Sequence, residues 1–250
     1  MIIIDSFKVQ SNFVKRDWSE EGYASKAKSF ESKFTPFDRS TWRDRLRSQE
    51  MAGSSNKTWI ELFNIITKNQ ARTNYCWVNG VVYALEAQRV KQGHKYQSFS
   101  PASAGAIIKG YRNQGGWGGQ ACEYIKEHGV APSELWPDNA IDRQYDNDET
   151  RKAREPFKID EYYDVVDNGM NARERFDRMA TALLSGFLCP VAYNWWGHVV
   201  CAVDIVWKDG QWFVLCMNSW GASYGEQGLF LLREGKGTPD DCQAIQSIAA

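Results

Sequence analysis

The apolar positions change period partway along the chain. Between Cys76 and Gln92, Val78, Val81, Val82, Leu85 and Val90 recur at helical spacing, and Gly93 closes the run. Shorter helical patterns flank it: Thr41 to Leu46, Trp59 to Ile66, Ala102 to Lys109, Gln120 to His128 and Arg173 to Ser185. Ser100-Pro101 supplies a cap and a first-turn proline for the third of these, and Gly129 stops the fourth. Beyond Ser185 the pattern becomes strand-like: Cys189 to Asn194, His198 to Trp207, Gln211 to Met217 and Gly228 to Leu232. Asp209-Gly210 is a hairpin turn signal between the middle two. Helices first and strands afterwards predict an α+β fold with segregated halves.

Other stretches are less regular. Residues 1–34 form an N-terminal arm, too short for a domain. Within it Ser19-Glu20-Glu21 predicts the start of a short helix through Ala24, Ala27 and Phe30. Simple packing on the main body is the favoured role for the arm, with partner binding and a small pro-segment as alternatives. Residues 138–161 are charge-rich and aperiodic, which predicts a solvated surface loop. Gly115-Gly116-Trp117-Gly118-Gly119 places four glycines in five residues, so backbone can come close to another group there. A nucleotide loop is a poor reading, because no strand precedes it and no Lys-Ser/Thr follows.

At 250 residues the chain can bury a full core. Hydrophobic residues make up 43% and charged residues 24%, which suits a globular protein. Thirty basic and 31 acidic residues leave a net charge of −1, which gives no reason to expect nucleic acid or an anionic membrane as a partner. No apolar run approaches the length of a membrane span. Met1-Ile2-Ile3-Ile4 meets Asp5 too soon to be a signal-peptide core. The six cysteines contain no CxxC pair, which argues against a structural zinc site. Cys122, Cys189, Cys201 and Cys216 lie in apolar runs and read as reduced, buried thiols. No metal or cofactor is expected.

Cys76 differs from these. It opens the strongest helix, where the positive end of the helix dipole favours thiolate over thiol. Gln70, six residues earlier, carries a side-chain amide able to act as an oxyanion donor. A lone cysteine is more simply a small core residue, so the reading depends on a base. Of three histidines, His94 reads as a loop residue and His128 as a helix C-terminal cap. His198 begins an apolar strand directly after Trp195-Trp196-Gly197. Asn218 closes the next strand, and the Asp209-Gly210 hairpin brings it near His198, where it is suited to orient the imidazole. Trp220 is placed to roof that pair.

These blocks, in this order, resemble the papain-like cysteine peptidases. Gln70 and Cys76-Trp77, Gly115-Gly116, His198, and Asn218-Ser219-Trp220-Gly221 followed by Tyr224-Gly225-Glu226-Gln227-Gly228 carry the resemblance, over roughly residues 58 to 232. His198 and Asn218 follow Cys76 by 122 and 142 residues, close to the spacing known for that family. The resemblance implies a two-lobe fold, with a helical N-terminal lobe (about 58–137), an antiparallel sheet or barrel C-terminal lobe (about 160–235) and a cleft between them, all within residues 35–250. It implies Cys76 as nucleophile, His198 as base, Asn218 as orienting group, and Gln70 with the Cys76 N–H as oxyanion hole. Gly115 and Gly116 would pair with substrate main chain, and Trp117, Val199 and Trp220 would line the site.

The chain departs from the family at Thr73-Asn74-Tyr75, where relatives usually carry Cys-Gly-Ser. The family's disulfide joins that cysteine to one just before the glycine strip, near Asn113 here, and both halves are absent. This points to an intracellular, reducing setting, with a virion-associated or phage-type relative as a variant. The expected activity is cysteine-peptidase hydrolysis of a peptide or protein substrate through an acyl-enzyme. Two alternatives stand beside it. One is a structural or assembly protein that keeps the fold and binds a larger assembly through its arm. The other is an amidase or peptidoglycan-type hydrolase.

Overall fold

The computed structural model describes residues 1–4, 14–19 and 26–247. Eight α-helices are found among them: α1 (Trp42–Met51), α2 (Asn56–Leu62), α3 (Cys76–Lys91), α4 (Ala102–Ile108), α5 (Gly118–His128), α6 (Asp148–Arg154), α7 (Ala172–Leu184) and α8 (Glu234–Gly237). The strands are β1 (Lys28–Ser29), β2 (Ile159–Asp164), β3 (Cys189–Tyr193), β4 (His198–Lys208), β5 (Gln211–Met217), β6 (Leu229–Arg233) and β7 (Asp241–Ser247). They form one sheet in the order β1-β2-β7-β3-β4-β5-β6, antiparallel throughout except for the β1–β2 pair. The fold is α+β.

Helix α3 is the axis of the molecule. Fifteen of its residues, from Cys76 to Val90, are buried, the condition of a helix enclosed on every side. It packs against α5 and across β3, β4 and β7. One face of the sheet joins α3 in a core that includes Trp77, Val81, Ala192, Val199, Cys201 and Ile245. The other face packs under α7 with Phe176, Met179, Val191, Val200 and Cys242. Successive residues on a strand point to opposite faces, and β3 and β4 alternate between these two cores accordingly.

Three features go beyond the expectations from sequence. The 138–161 stretch is partly ordered as helix: α6 is started by a capping box in which Asn147 and Thr150 bond reciprocally. Strands β2 and β7 add to the sheet on the side away from the Asp209-Gly210 hairpin. The helix expected from Ser19 lies largely outside the described residues, and Phe30 itself begins a single 3-10 turn. The first residues of the chain extend the sheet's other edge. The Ile4 N–H donates to the Leu231 carbonyl at 3.1 Å, and the Leu231 N–H to the Ile2 carbonyl at 2.9 Å. Among the described residues no helix is long and apolar enough to cross a membrane.

Candidate active site

Cys76 is the first residue of α3, and the preceding Tyr75 is non-helical, so the helix N-terminus opens at the sulfur. The thiol is buried, with 4% of the residue exposed. Backbone N–H groups of Val199, Trp77 and Cys76 itself lie near the sulfur and favour its charged form. The Val199 N–H belongs to the peptide that follows His198, so the start of β4 runs past the thiol, while the His198 ring makes no hydrogen bond to the sulfur. Burial pushes the Cys76 thiol up to about 11, and the three N–H groups partly offset it.

His198 is fully buried at the start of β4. Its Nε2 lies 2.8 Å from Asn218 Oδ1. With an amide oxygen as partner, Nε2 carries the proton and Nδ1 is left as the basic nitrogen. Nδ1 is buried and has no hydrogen-bond partner among the described residues. Burial draws the imidazole down to about 4, opposed by the bond that Nε2 donates to Asn218 Oδ1. The ring is boxed by indoles: Trp220 is tilted over it at 4.8 Å and Trp196 meets it edge-on at 4.7 Å. These rings keep water from the His198–Asn218 bond.

Gln70 is held in a short antiparallel contact between the two halves of the chain. Its N–H donates to the Ser219 carbonyl at 2.8 Å, and Gly221 donates to the Lys68 carbonyl at 3.0 Å. The Gln70 side-chain oxygen accepts from the Ser219 hydroxyl at 2.6 Å, and its Nε2 donates to the Thr73 carbonyl at 2.8 Å. One amide proton of Nε2 is used there, and a second is available for a developing negative charge. Ser219 is fixed in turn by donation from its N–H to Asn218 Oδ1 at 2.8 Å. Gln70, Ser219, Asn218 and His198 therefore form one connected hydrogen-bond chain. Tyr83 ties α3 to it, accepting from the Lys68 N–H and donating to the Asn218 carbonyl at 3.2 Å. Sequence reasoning missed Tyr83 and Ser219. Ser219 sits inside the Asn218–Gly221 motif, where its neighbours were the only signal.

Gly115, Gly116 and Trp117 run buried into α5. A methyl at Gly116 would lie 2.8 Å from carbons of the Trp77 ring and 2.6 Å from Gln120 Oε1, so only glycine fits against Trp77. Val199 is buried on the face toward α3. The Thr73-Asn74-Tyr75 segment is bound to the loop before the glycine strip. The Asn74 N–H donates to Asn113 Oδ1 at 2.7 Å, Asn74 Nδ2 to the Asn113 carbonyl at 3.1 Å, and Asn113 Nδ2 to the Arg72 carbonyl at 2.9 Å. Tyr75 adds a bond from its hydroxyl to the Arg112 carbonyl at 3.0 Å. All six cysteines are free and buried. His94 and His128 stand apart from this network; His128 is exposed at the end of α5 and packs on Tyr124. Among the described residues no cluster of His, Cys, Asp and Glu is suited to a metal ion.

Comparison with known proteins follows the same lines. A sequence model described as papain family cysteine protease matches residues 61–250, and the chain belongs to that family. It is similar to cysteine proteinase 2 of Zea mays, 28% identical over 224 residues that cover 78% of this chain and 60% of that protein. It is also similar to pro-cathepsin H of Mus musculus, 24% identical over 202 residues that cover 73% of this chain and 61% of that protein. The chain thus spans about three-fifths of the length of these relatives. Among solved structures, xylellain, a cysteine protease from Xylella fastidiosa, superposes with a TM-score of 0.62 at 14% identity over the whole of both chains. Bromelain from Ananas comosus gives 0.58 at 21% identity, covering 82% of this chain and 96% of that one. The fold is papain-like.

Proposed function

We propose that the protein is a cysteine peptidase that hydrolyses peptide bonds through Cys76. The observation that carries the reading is the disposition of His198. Asn218 holds Nε2, Nδ1 is buried without a hydrogen-bond partner among the described residues, and the N–H of the next peptide lies near the Cys76 sulfur. In this mechanism Nδ1 takes the thiol proton as the sulfur attacks the substrate carbonyl. The carbonyl oxygen becomes an oxyanion, stabilised by the Cys76 N–H and Gln70 Nε2. The imidazolium returns the proton to the leaving amine, which departs with C–N cleavage and leaves a thioester. Water, deprotonated by the same imidazole, then releases the acid and restores the thiol.

Asn218 and the indoles of Trp196 and Trp220 keep the imidazole in one orientation through both half-reactions. Gly115 and Gly116 pair with substrate main chain as an added strand, and Trp117, Val199 and Trp220 line the site. In this reading the helices of about 58–137 and the sheet of about 160–235 act as two lobes with the cleft between them. A reducing, intracellular setting suits six free thiols.

The bromelain structure holds the E64 inhibitor, and a peptidyl epoxide is the matching probe here. It should label Cys76 near neutral pH, and Cys76→Ala should abolish labelling together with peptide hydrolysis. Folded protein that neither labels nor cleaves a mixed peptide library would overturn the assignment.

A further inference from the structure

The peptidase site explains Cys76, His198, Asn218 and Gln70. It does not explain a buried charge cluster on the same face of the sheet. Asp241 in β7 pairs directly with Ala192 in β3, and Ala192 pairs with Val199 in β4. Residues directly opposite in a ladder share a face. Ala192 and Val199 both pack toward α3, so Asp241 faces that way too, two strand spacings, or about 10 Å, from Val199. Gln243 is two residues further along β7 on that face, and Asp164 of β2 pairs with it. Gln243 Oε1 also lies 2.3 Å from where a methyl on Gly118 would sit. Asp241 and Gln243 therefore sit on the α3 face of β7, with Gln243 against the end of the glycine strip, and Asp164 flanks them from β2 on the side away from β4.

One side chain enters this site, and it comes from the N-terminal arm. Arg16 Nη1 donates to Asp164 Oδ1 and to Asp241 Oδ1, each at 2.9 Å, and Nη2 donates to Asp164 Oδ2 at 2.8 Å. Gln243 Nε2 braces Asp241 at 2.7 Å. The Arg16 side chain is 4% exposed, whereas Val14, Lys15, Asp17 and Ser19 around it are exposed. A segment that merely packs buries an apolar stripe. This one inserts a single guanidinium, with the Trp18 ring 3.9 Å from it. Two carboxylates meet one cation, and Asp241 Oδ2, buried, has no hydrogen-bond partner among the described residues. The flat, forked arrangement of acceptors matches a guanidinium better than an ammonium.

We infer that Asp164, Asp241 and Gln243 form a guanidinium-selective substrate subsite of the cleft, which Arg16 occupies in cis. The proposal rests on the peptidase reading and deepens it. The substrates are peptides with an arginine placed to reach this site, and the arm's arginine competes with theirs.

The test uses the whole chain and fluorogenic peptides that carry arginine or its neutral isostere citrulline at each position in turn. At one position arginine should be favoured at least tenfold in kcat/KM. Asp241→Asn and Asp164→Asn should each bring that ratio to within twofold. Arg16→Ala should lower KM for the arginine peptide about tenfold with kcat held. If Arg16→Ala does not fold, Arg16→Lys, which keeps the charge and loses the fork, should lower the same KM by a smaller factor. In a Cys76→Ala background, fluorescence anisotropy of the labelled arginine and citrulline peptides reads the subsite without turnover. Epoxide labelling separates the two claims. Labelling at Cys76 with arginine and citrulline equivalent at every position, in wild type and in the Arg16 variant, overturns the subsite and leaves the peptidase. Arginine-selective binding without labelling or cleavage does the reverse.

Discussion

Asn113→Ala is the sharpest probe of how this chain holds the loop that leads into Cys76. The substitution removes the acceptor for the Asn74 N–H and the donor to the Arg72 carbonyl, and leaves the bond from Asn74 Nδ2 to the residue-113 carbonyl. Both lost bonds are solvent-exposed, so water replaces them in part. At about 0.5–1 kcal/mol each, the loss is about 1–2 kcal/mol. For a chain of this size that lowers the melting temperature by roughly 3–6 °C. The effect on rate should be larger than stability suggests. The clasp joins the loop that carries Gln70 and Cys76 to the loop that leads into Gly115-Gly116, and an ångström of misplacement costs on the order of 100-fold. The assay is differential scanning fluorimetry with peptide kinetics, each with and without excess dithiothreitol. Since the clasp contains no sulfur, reductant should change neither the wild type nor the variant. An Asn113→Ala protein that melts within a degree of wild type and keeps its kcat/KM would refute the reasoning.

Other substitutions address the supports around the site. Lys68→Met strands the buried Glu86 carboxylate, whose partner lies 3.0 Å away with the two side chains 1% and 0% exposed; a loss of about 3–5 kcal/mol is expected in denaturant melts, partly recovered by adding Glu86→Gln. Gly116→Ala forces a methyl into the Trp77 ring, so thermal melts should register about 1–3 kcal/mol of overpacking and kcat/KM should fall. Asp204 is held up to about 7 by burial; the folded state then binds more protons than the unfolded state between the ordinary carboxylate range and pH 7, so this residue makes stability fall as pH rises through that window. Asp204→Asn should remove that slope, worth about 4 kcal/mol across the window, and identical pH–stability curves for the two proteins would contradict it. Iodoacetamide alkylation of Cys76, read by mass spectrometry of the peptide released after Arg72 and Arg89, should rise about tenfold per pH unit from neutrality into the alkaline range; a fast rate independent of pH from mildly acidic values upward would mean that the thiolate is already formed.

How much of this was legible in the sequence depended on whether a signal was local. Helix α3 announces itself by apolar spacing, and the β4–β5 hairpin by Asp209-Gly210, both of whose φ angles are positive (50° and 75°), as such a turn needs. Cys76 and His198, the proposed nucleophile and base, were readable because each opens an element beside an aromatic or a glycine. Strand β7 was not readable. Its apolar residues Cys242 and Ala244 alternate with Asp241 and Gln243, which imitates a strand with one face in water. In the structure that polar face is buried on Arg16, 225 residues away in sequence, and no window of sequence contains both partners. Helix α6 was missed for a different reason. It is set by the Asn147–Thr150 capping box and charged turns, without an apolar period to reveal it.

The charge state of the Cys76–His198 pair and the occupancy of the cleft are linked by the same desolvation. With sulfur at about 11 and imidazole at about 4, moving the thiol proton to Nδ1 runs uphill by roughly 10 kcal/mol before the two charges attract each other. Even two unit charges in contact, about 4 Å apart, regain only roughly 4 kcal/mol at an effective dielectric near 20, and the N–H groups at the start of the helix already act on the sulfur at about 11. The neutral pair therefore wins while the site stays dry. In the proposed peptidase, a peptide that took the place of Arg16 would bring polar main chain to Gly115-Gly116 and a carbonyl to Gln70 and the Cys76 N–H. Polar groups then surround the atoms that burial had kept uncharged, and the sulfur moves down as the imidazole moves up. On this argument the thiolate is not stored in the closed protein. Under the proposed function it would form as substrate arrives, so the carboxylates that hold the arm's arginine would also help to decide when Cys76 becomes a nucleophile.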